Sequence, residues 1–280
     1  MRKIAIIGAG AAGLMAAVGV IQNGCIPVIF EKNNKAGIKL LITGKGRCNL
    51  SNDIDPEDFV KSFPGNGYFL YSSIYNFDSI KLRTFFESIG VSTKVERGGR
   101  IFPHSDKAKD VVNSLVKYII NNGAIIKYNS PVERLWIQDN TLMGIITKGS
   151  KERFSTVIIA TGGKSYPKTG STGDGYKLAR EAGHTIVEPY PSLVPLETDE
   201  DWVKDVQGLT LKNVEVKVFF KNKLISKEFG EMIFTHFGIS GPIILTLSRK
   251  IVYTLIKKGK PVIIKLNLKP ALSAKQIDNR

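Results

Sequence analysis

Cysteine and histidine are scarce. The 280-residue chain has two cysteines, Cys25 and Cys48, and three histidines. The cysteines form no CxxC pair and stand at no zinc-ligand spacing, which argues against a disulfide framework, dithiol exchange and structural zinc, and no metal is expected. Long apolar runs are lacking too: Ile243 to Leu247 and Ile251 to Ile256 are separated by Ser248-Arg249-Lys250, and each is too short to cross a bilayer. Arg2-Lys3 before an apolar stretch has the charge order of a secretory leader, but glycines at regular spacing and Gln22-Asn23-Gly24 interrupt it. A cytoplasmic protein without membrane insertion is expected. Internal repeats and low-complexity tracts are absent. Acidic residues are outnumbered 25 to 40, for a formal charge of +15. The lysines are scattered, densest at Arg249-Lys250, Lys257-Lys258 and Lys260, so a solvated basic surface is favoured over nucleic-acid binding. Attraction of anionic substrates fits the same charge.

With 42% hydrophobic residues the chain is able to bury one large core or two smaller ones. Its most informative stretch is the start, where the apolar run Ile4 to Ile7 leads into Gly8-Ala9-Gly10-Ala11-Ala12-Gly13 and an alanine-rich helix. Gly8 permits a tight turn, Gly10 lets the backbone approach a pyrophosphate, and Gly13 lets the helix pack close to the strand, its N-terminus facing the phosphates. Ala11 and Ala12 open that helix. The pattern alone is weak, so the next strand matters. Ile26 to Phe30 reads as a buried strand ending in Glu31, eighteen positions after Gly13, near the ~20-residue offset at which a carboxylate meets a ribose 2′-hydroxyl. The adenosine half of FAD or NAD is therefore expected, and Glu31 disfavours a 2′-phosphate.

Strand Lys3 to Ile7, helix Ala11 to Gln22 and strand Ile26 to Phe30 make a right-handed βαβ unit. A glycine-bearing loop follows through Thr43-Gly44-Lys45-Gly46-Arg47-Cys48-Asn49, with no buried strand expected beyond Leu40 to Ile42. Asp78 or Ser79 caps a helix over Ile80 to Ile89, and Ser105 or Asp106 begins one reaching Ile120. Val91 to Glu96 and Arg100 to Phe102 flank Arg97-Gly98-Gly99 as a hairpin. Strands Ile125 to Tyr128, Val132 to Ile137 and Leu142 to Thr147 form an excursion that returns at Val157 to Ala160, a buried strand ending in Thr161-Gly162-Gly163. After a helix over Tyr176 to Glu181, prolines punctuate the chain and alternation takes over, as in Val214-Glu215-Val216-Lys217-Val218. Asn222 tips a hairpin, Ile243 to Ile256 carries apolar residues on one helical face, and Pro261 to Leu268 is a last strand.

These residues resemble the BaiN-like, or aminoacetone-oxidase-like, FAD-dependent oxidoreductases. The resemblance rests on the N-terminal glycine motif, Gly44 to Asn49, Gly99-Arg100-Ile101-Phe102-Pro103, Ala160-Thr161-Gly162-Gly163, Tyr166 to Tyr176, and Phe234 to Pro242. It implies an α/β protein: a Rossmann-like FAD-binding domain of the glutathione-reductase type over residues 1–188, and a β-rich substrate domain over 189–280 with the active site between them. It also implies that Glu31 holds the adenosine ribose, that Arg47, Cys48 and Asn49 approach the pyrophosphate and flavin, that Val132 contacts adenine through its backbone, and that Ala160, Thr161 and Gly162 line the groove. Lys32, Lys39, Gly46, Gly173 and Asp174 complete the candidate cofactor set. The family's late Gly-x-x-x-Ala-Gly-Glu segment does not occur in these residues, so the second domain is expected to be incomplete.

Physical chemistry gives each candidate a rival reading. Arg47 offers a fork for phosphate oxygens, against a plain surface arginine. Cys48 reads as a buried backbone contact and not a nucleophile. His236, beside Thr235 in a glycine-flanked loop, is either the catalytic proton donor or a satisfied structural histidine. Asp174 caps the helix that follows it. The expected activity is hydride transfer between a small organic substrate and flavin, with NAD(P)H docking transiently, since no second GxGxxG is present, or oxygen as the other partner. The alternatives are a flavin-dependent tRNA-modifying enzyme, a non-catalytic FAD-binding protein and a nicotinamide-only dehydrogenase. Oligomeric state is not readable.

Overall fold

The computed structural model describes residues 1–63, 65–259 and 261–278. Lys260 and the side chains of Lys257 and Lys258, part of the densest basic run, lie outside them. The chain forms two compact units, Met1–Ile186 and Val187–Arg280.

The first unit is built on a parallel sheet in the order Val157–Ile159, Lys3–Ile7, Ile26–Phe30, Ile125–Lys127. Register pairs Ala5 with both Val157 and Val28, and Val28 with Ile125. Both faces are buried, which is why these strands read as continuous apolar runs. Ile6 and Ile29 point to one face, where Leu14, Ala17 and Val18 of the helix Ala11–Gln22 meet Val111, Leu115 and Ile119 of the helix Ala108–Asn121. Ala5, Ile7, Val28 and Phe30 point to the other, against Leu135 and Ile145 of an antiparallel sheet, Phe154 just beyond it, and Leu178. Alternation of side chains across each strand thus divides one sheet between two cores.

That antiparallel layer has three strands, Val132–Gln138, Thr141–Thr147 and Ser150–Arg153. The last is absent from the sequence reading because Ser-Lys-Glu-Arg carries no apolar alternation; its neighbour's pairing holds it. A smaller sheet orders Ser51–Asn52, Arg100–Pro103 and Thr93–Glu96, its hairpin turning at the expected glycines. Asp78 caps the helix Ser79–Ser88 by accepting from Lys81 N–H at 2.8 Å.

Two local readings need correction. Leu40 to Ile42 lies within a short helix, Ile38–Ile42, because Gly37 at φ +69° turns the chain and sits against Val112 of the longer helix. Three successive apolar residues do not distinguish strand from buried helix. The helix Ala108–Asn121 starts later than Ser105 or Asp106, with Lys107 at its N-cap and no side-chain cap. Asp106 instead takes φ +54° and enters an ion cluster.

The second unit is an antiparallel sheet in the order Leu196–Glu197, Gly238–Ser240, Lys223–Thr235, Thr210–Phe220, Ile263–Asn267. Val214, Val216 and Val218 are buried against Ile243, Ile244, Leu247 and Ile251 of the helix Pro242–Lys258. Lys221 and Asn222, at φ 48° and 62°, make the tight turn between the two longest strands, the conformation a two-residue hairpin favours. Among the described residues no helix is long and apolar enough to cross a membrane, and no His, Cys, Asp and Glu cluster is suited to a metal ion.

Candidate functional site

The three motif glycines do different jobs at the mouth of a cavity of about 330 Å³ in the first unit. Gly8, at φ +103°, ends the strand Lys3–Ile7 so close to the end of Val157–Ile159 that a Cβ would stand 2.6 Å from the Ala160 carbonyl oxygen. Gly13 is buried, and a Cβ there would overlap the Gly8 carbonyl oxygen and approach Ala160 Cβ to 3.4 Å. Gly10 is the opposite case, since nothing lies within 4 Å of where its Cβ would be. Gly8, Gly10, Ala11 and Ala12 line the cavity, and the helix that starts there has no side chain capping its N-terminus. Unpaired N–H groups and the positive end of a helix dipole thus border an open space suited to an anion.

Glu31 is 7% exposed and holds this mouth together. Its Oε2 accepts from Ala9 N–H at 2.7 Å, and its Oε1 accepts from Asn33 N–H at 2.9 Å and Asn33 Nδ2 at 2.7 Å. An ionised carboxylate has about four acceptor positions. Oε2 therefore keeps one for a further donor, such as a sugar hydroxyl.

Lys32 and Lys39 form one wall and reach across to the segment that follows the strand Val157–Ile159. Lys32 Nζ donates to Thr172 Oγ1 at 2.6 Å and Asp174 Oδ2 at 2.7 Å. Lys39 Nζ donates to the Ser165 carbonyl and to the buried Ser171 hydroxyl, each at 2.7 Å. Ala160, Thr161 and Gly162 line the cavity as well, as do Pro131 and Val132. Asp174 corrects its sequence reading: it is the first residue of the helix Asp174–Glu181, Gly173 at φ +88° is the N-cap, and no side chain caps that end. Its carboxylate bonds Lys32 and Thr172 instead. Partial burial works against ionisation there, but those hydrogen bonds outweigh it and hold the carboxyl below its ordinary value.

Four candidates from the glycine loop are not on this cavity's lining. Arg47 engages two carboxylates through one nitrogen: its Nη1 lies 2.9 Å from Glu96 Oε1 and 3.4 Å from Asp106 Oδ1, and its guanidinium stacks 4.0 Å from the Phe102 ring centroid. These partners offset part of the charge a phosphate would meet. Cys48 is fully buried at φ +65°, and burial pushes its thiol pKa up, in keeping with an inert thiol. Asn49, with its amide oriented to suit its neighbours, donates to the Ser51 carbonyl at 2.9 Å. Gly46 borders a separate cleft with Leu41 and Asp110. His236 belongs to the second unit, exposed in the turn between Thr235 and Gly238, its ring edge-on to Phe237.

Sequence reasoning missed Asn33, Gly37, Thr43, Pro131, Gly170 and Ser171, all on the cavity. Gly170 and Ser171 stood inside a recognised motif, and the one available signal was its density of glycine and hydroxyl residues. The others carry no local signature.

The sequence pattern described as the HI0933-like protein Rossmann domain matches residues 2–241. A 3-dehydro-bile acid delta(4,6)-reductase from Clostridium scindens is 32% identical over 282 aligned positions, covering 99% of this chain and 67% of that protein. A ribosomal RNA dihydrouridine synthase from Haemophilus influenzae is 30% identical over 251 positions, covering 87% and 60%, and its Escherichia coli counterpart is 28% identical, covering 87% and 59%. The chain thus spans about three fifths to two thirds of the curated relatives it matches. In fold it is similar to the 3-ketosteroid-delta4-(5alpha)-dehydrogenase of Rhodococcus jostii RHA1, with a TM-score of 0.52 and 15% identity over 75% of this chain and 60% of that one.

Proposed function

The chain belongs to the HI0933-like Rossmann-domain family, and from that premise we propose that it is an FAD-dependent oxidoreductase that moves hydride between a small organic substrate and flavin. The observation that carries this reading is the cradle: an uncapped helix N-terminus, an open face at Gly10, and a buried Glu31 with an acceptor position to spare. The residues present fit the adenosine diphosphate half of FAD. Gly8 to Ala12 would hold the pyrophosphate, Glu31 the ribose, Val132 the adenine end, and Ala160 to Gly162 the groove beyond. FAD, when bound, supplies a two-electron donor and acceptor; the chain's part is to bind and orient it and to keep water out.

The reductase relative supports the BaiN-like side of the family resemblance over the aminoacetone-oxidase-like side, and with it the reductive direction, with NAD(P)H as transient donor and oxygen as the alternative partner. His236 is the proton donor we propose on the substrate side. A second reading, flavin-dependent reduction of a base in RNA, is favoured by the two dihydrouridine-synthase relatives and by the net charge of +15.

The test is the visible spectrum of the purified chain with chromatography of any released cofactor, followed by anaerobic mixing with NADH or NADPH. Bound FAD that is bleached by either nucleotide supports the reading. A colourless chain that takes up no added FAD sinks it. Reoxidation of reduced flavin by RNA but by no small enone or ketone moves the second reading to first place.

A further inference from the structure

The segment from Ser165 to Asp174 has little regular structure, a single turn of 3-10 helix over Pro167–Thr169, yet it is fastened at several points to the opposite wall of the cavity. Lys39 holds it at Ser165 and Ser171, and Lys32 holds it at Thr172 and Asp174. Between these, Gly170 at φ +98° comes so close that a Cβ would lie 2.6 Å from Asn33 Nδ2 and 3.3 Å from Lys32 Cε. Asn33 is the residue whose backbone and side chain both hold Glu31. Lys32, Asn33 and Lys39 come from the wall that begins at Glu31, whereas Ser165 to Asp174 comes from the wall that begins at Ala160. Both walls line the cavity at which the glycine cradle opens.

We propose that Lys32 and Lys39 are positioning residues that latch the Ser165 to Asp174 segment across the cavity and so retain a dinucleotide once it is seated. The proposal rests on the FAD reading above. Neither ammonium depends on touching the cofactor for this role. Each acts through its partner on the segment, and the charge-assisted bonds to Asp174, Ser171 and the Ser165 carbonyl have to break for the walls to part. The hydroxyl of Thr172 bridges the arrangement by donating to Asp174 Oδ1 at 2.9 Å while it accepts from Lys32. Close approach at Gly170 makes the latch intolerant of a side chain there, because that contact needs both the missing Cβ and the left-handed backbone.

The latch and a direct phosphate contact by the same lysines give different results. In the FAD-loaded chain, flavin release is followed by the rise in flavin fluorescence after dilution into cofactor-free buffer holding excess ADP, which blocks rebinding at the cradle. Lys39→Met, Ser171→Ala, Lys32→Met and Asp174→Asn are each expected to speed release by about tenfold, the worth of roughly one charge-assisted hydrogen bond. The pairs Lys39→Met with Ser171→Ala, and Lys32→Met with Asp174→Asn, should release FAD no faster than the single lysine variants, since each pair removes one shared interaction. Lys39→Arg should restore slow release. Apoprotein melting, measured on the same samples, reports any general loss of fold, and Ser171→Ala removes only one oxygen. Faster release in the lysine variants with parent-like release in Ser171→Ala and Asp174→Asn overturns the latch in favour of direct contact. Unchanged release in all four overturns it as well. A chain that takes up no FAD fails the underlying reading and the latch together, and is recognised before any variant is made.

Discussion

Gly13→Ala and Gly10→Ala add the same methyl group three residues apart and should damage different things. At Gly13 the new Cβ would overlap the Gly8 carbonyl oxygen and stand 3.0 Å from its carbon, with Ala160 Cβ at 3.4 Å. These obstacles are backbone and a neighbouring strand, so relief requires the helix Ala11–Gln22 to lift from a sheet whose residues Ile6 and Ile29 are fully buried beneath it. Overpacking of this kind costs ~1–3 kcal/mol, and contact with main chain puts it at about the upper end. At ~2–4 °C per kcal/mol for a domain of this size, the apoprotein should melt roughly 6–12 °C lower. At Gly10 the backbone, φ −80° and ψ −171°, is open to alanine and nothing lies within 4 Å. Alanine is a poorer N-cap than glycine by under ~1 kcal/mol, but it restricts the unfolded chain and returns ~0.4–1 kcal/mol. Melting should then stay within about 2 °C of the parent. The methyl group enters the space where a pyrophosphate approaches, so the loss of one or two bonds worth ~1.5 kcal/mol or more each predicts FAD binding weaker by about 10- to 100-fold. Thermal unfolding by circular dichroism and a flavin fluorescence titration measure the two effects separately. Parent-like melting of Gly13→Ala, or parent-like FAD affinity of Gly10→Ala, would refute the assignment of packing to one glycine and ligand approach to the other.

Glu31→Gln should loosen the cradle from within. An amide has one accepting oxygen and cannot serve both Ala9 and Asn33, so a buried N–H loses its partner at ~1–3 kcal/mol and both the melting temperature and ADP affinity should fall; unchanged ADP binding would show that the carboxylate is not at the ribose. The Arg47 cluster predicts an acid-sensitive contribution to stability. The hydrogen bond from Lys94 holds the Asp106 carboxyl below its ordinary value against the opposing effect of burial, with Lys94 and Arg47 charges adding to it. Such a depressed carboxyl contributes above the ordinary carboxylate range and loses its contribution as pH falls through the folded-state value. The melting difference between parent and Asp106→Asn should therefore be largest near neutrality and shrink below about pH 4, and a difference that grows in acid would reverse the sign of the argument. Cys48, buried and with a raised pKa, should resist a thiol reagent in the native state while the half-buried Cys25 reacts, both labelling after unfolding; equal native labelling by peptide mass spectrometry would show that the glycine loop opens.

The sequence by itself determined the parts whose physics is local. Ile4 to Ile7 and Ile26 to Phe30 read as strands because short, branched apolar runs bracket a glycine turn and a helix at βαβ spacing, and Asp78 and Lys221-Asn222 act on neighbours a few residues away. The spacing of Gly8, Gly10 and Gly13, with Glu31 at the next strand end, is local in the same sense, and the fold sets Gly8, Gly10 and Glu31 around one cavity. Tertiary structure decided which charges are paired. Arg47 looked available for phosphate because Glu96 and Asp106 are 49 and 59 residues away in sequence, and Lys32 meets Thr172 and Asp174 across 140 and 142 residues. Long side chains find such partners only after the sheet has set the two walls of the cavity face to face. The helix Ile38–Ile42 was hidden for a related reason, since Gly37 at its start packs against Val112 of a helix reached much later in the chain, whereas the strand Ser150–Arg153 is paired to its hairpin neighbour and was hidden because it lacks apolar alternation. Backbone requirements propagate locally and are written in residue order, whereas electrostatic pairing depends on separations in space that residue order does not contain.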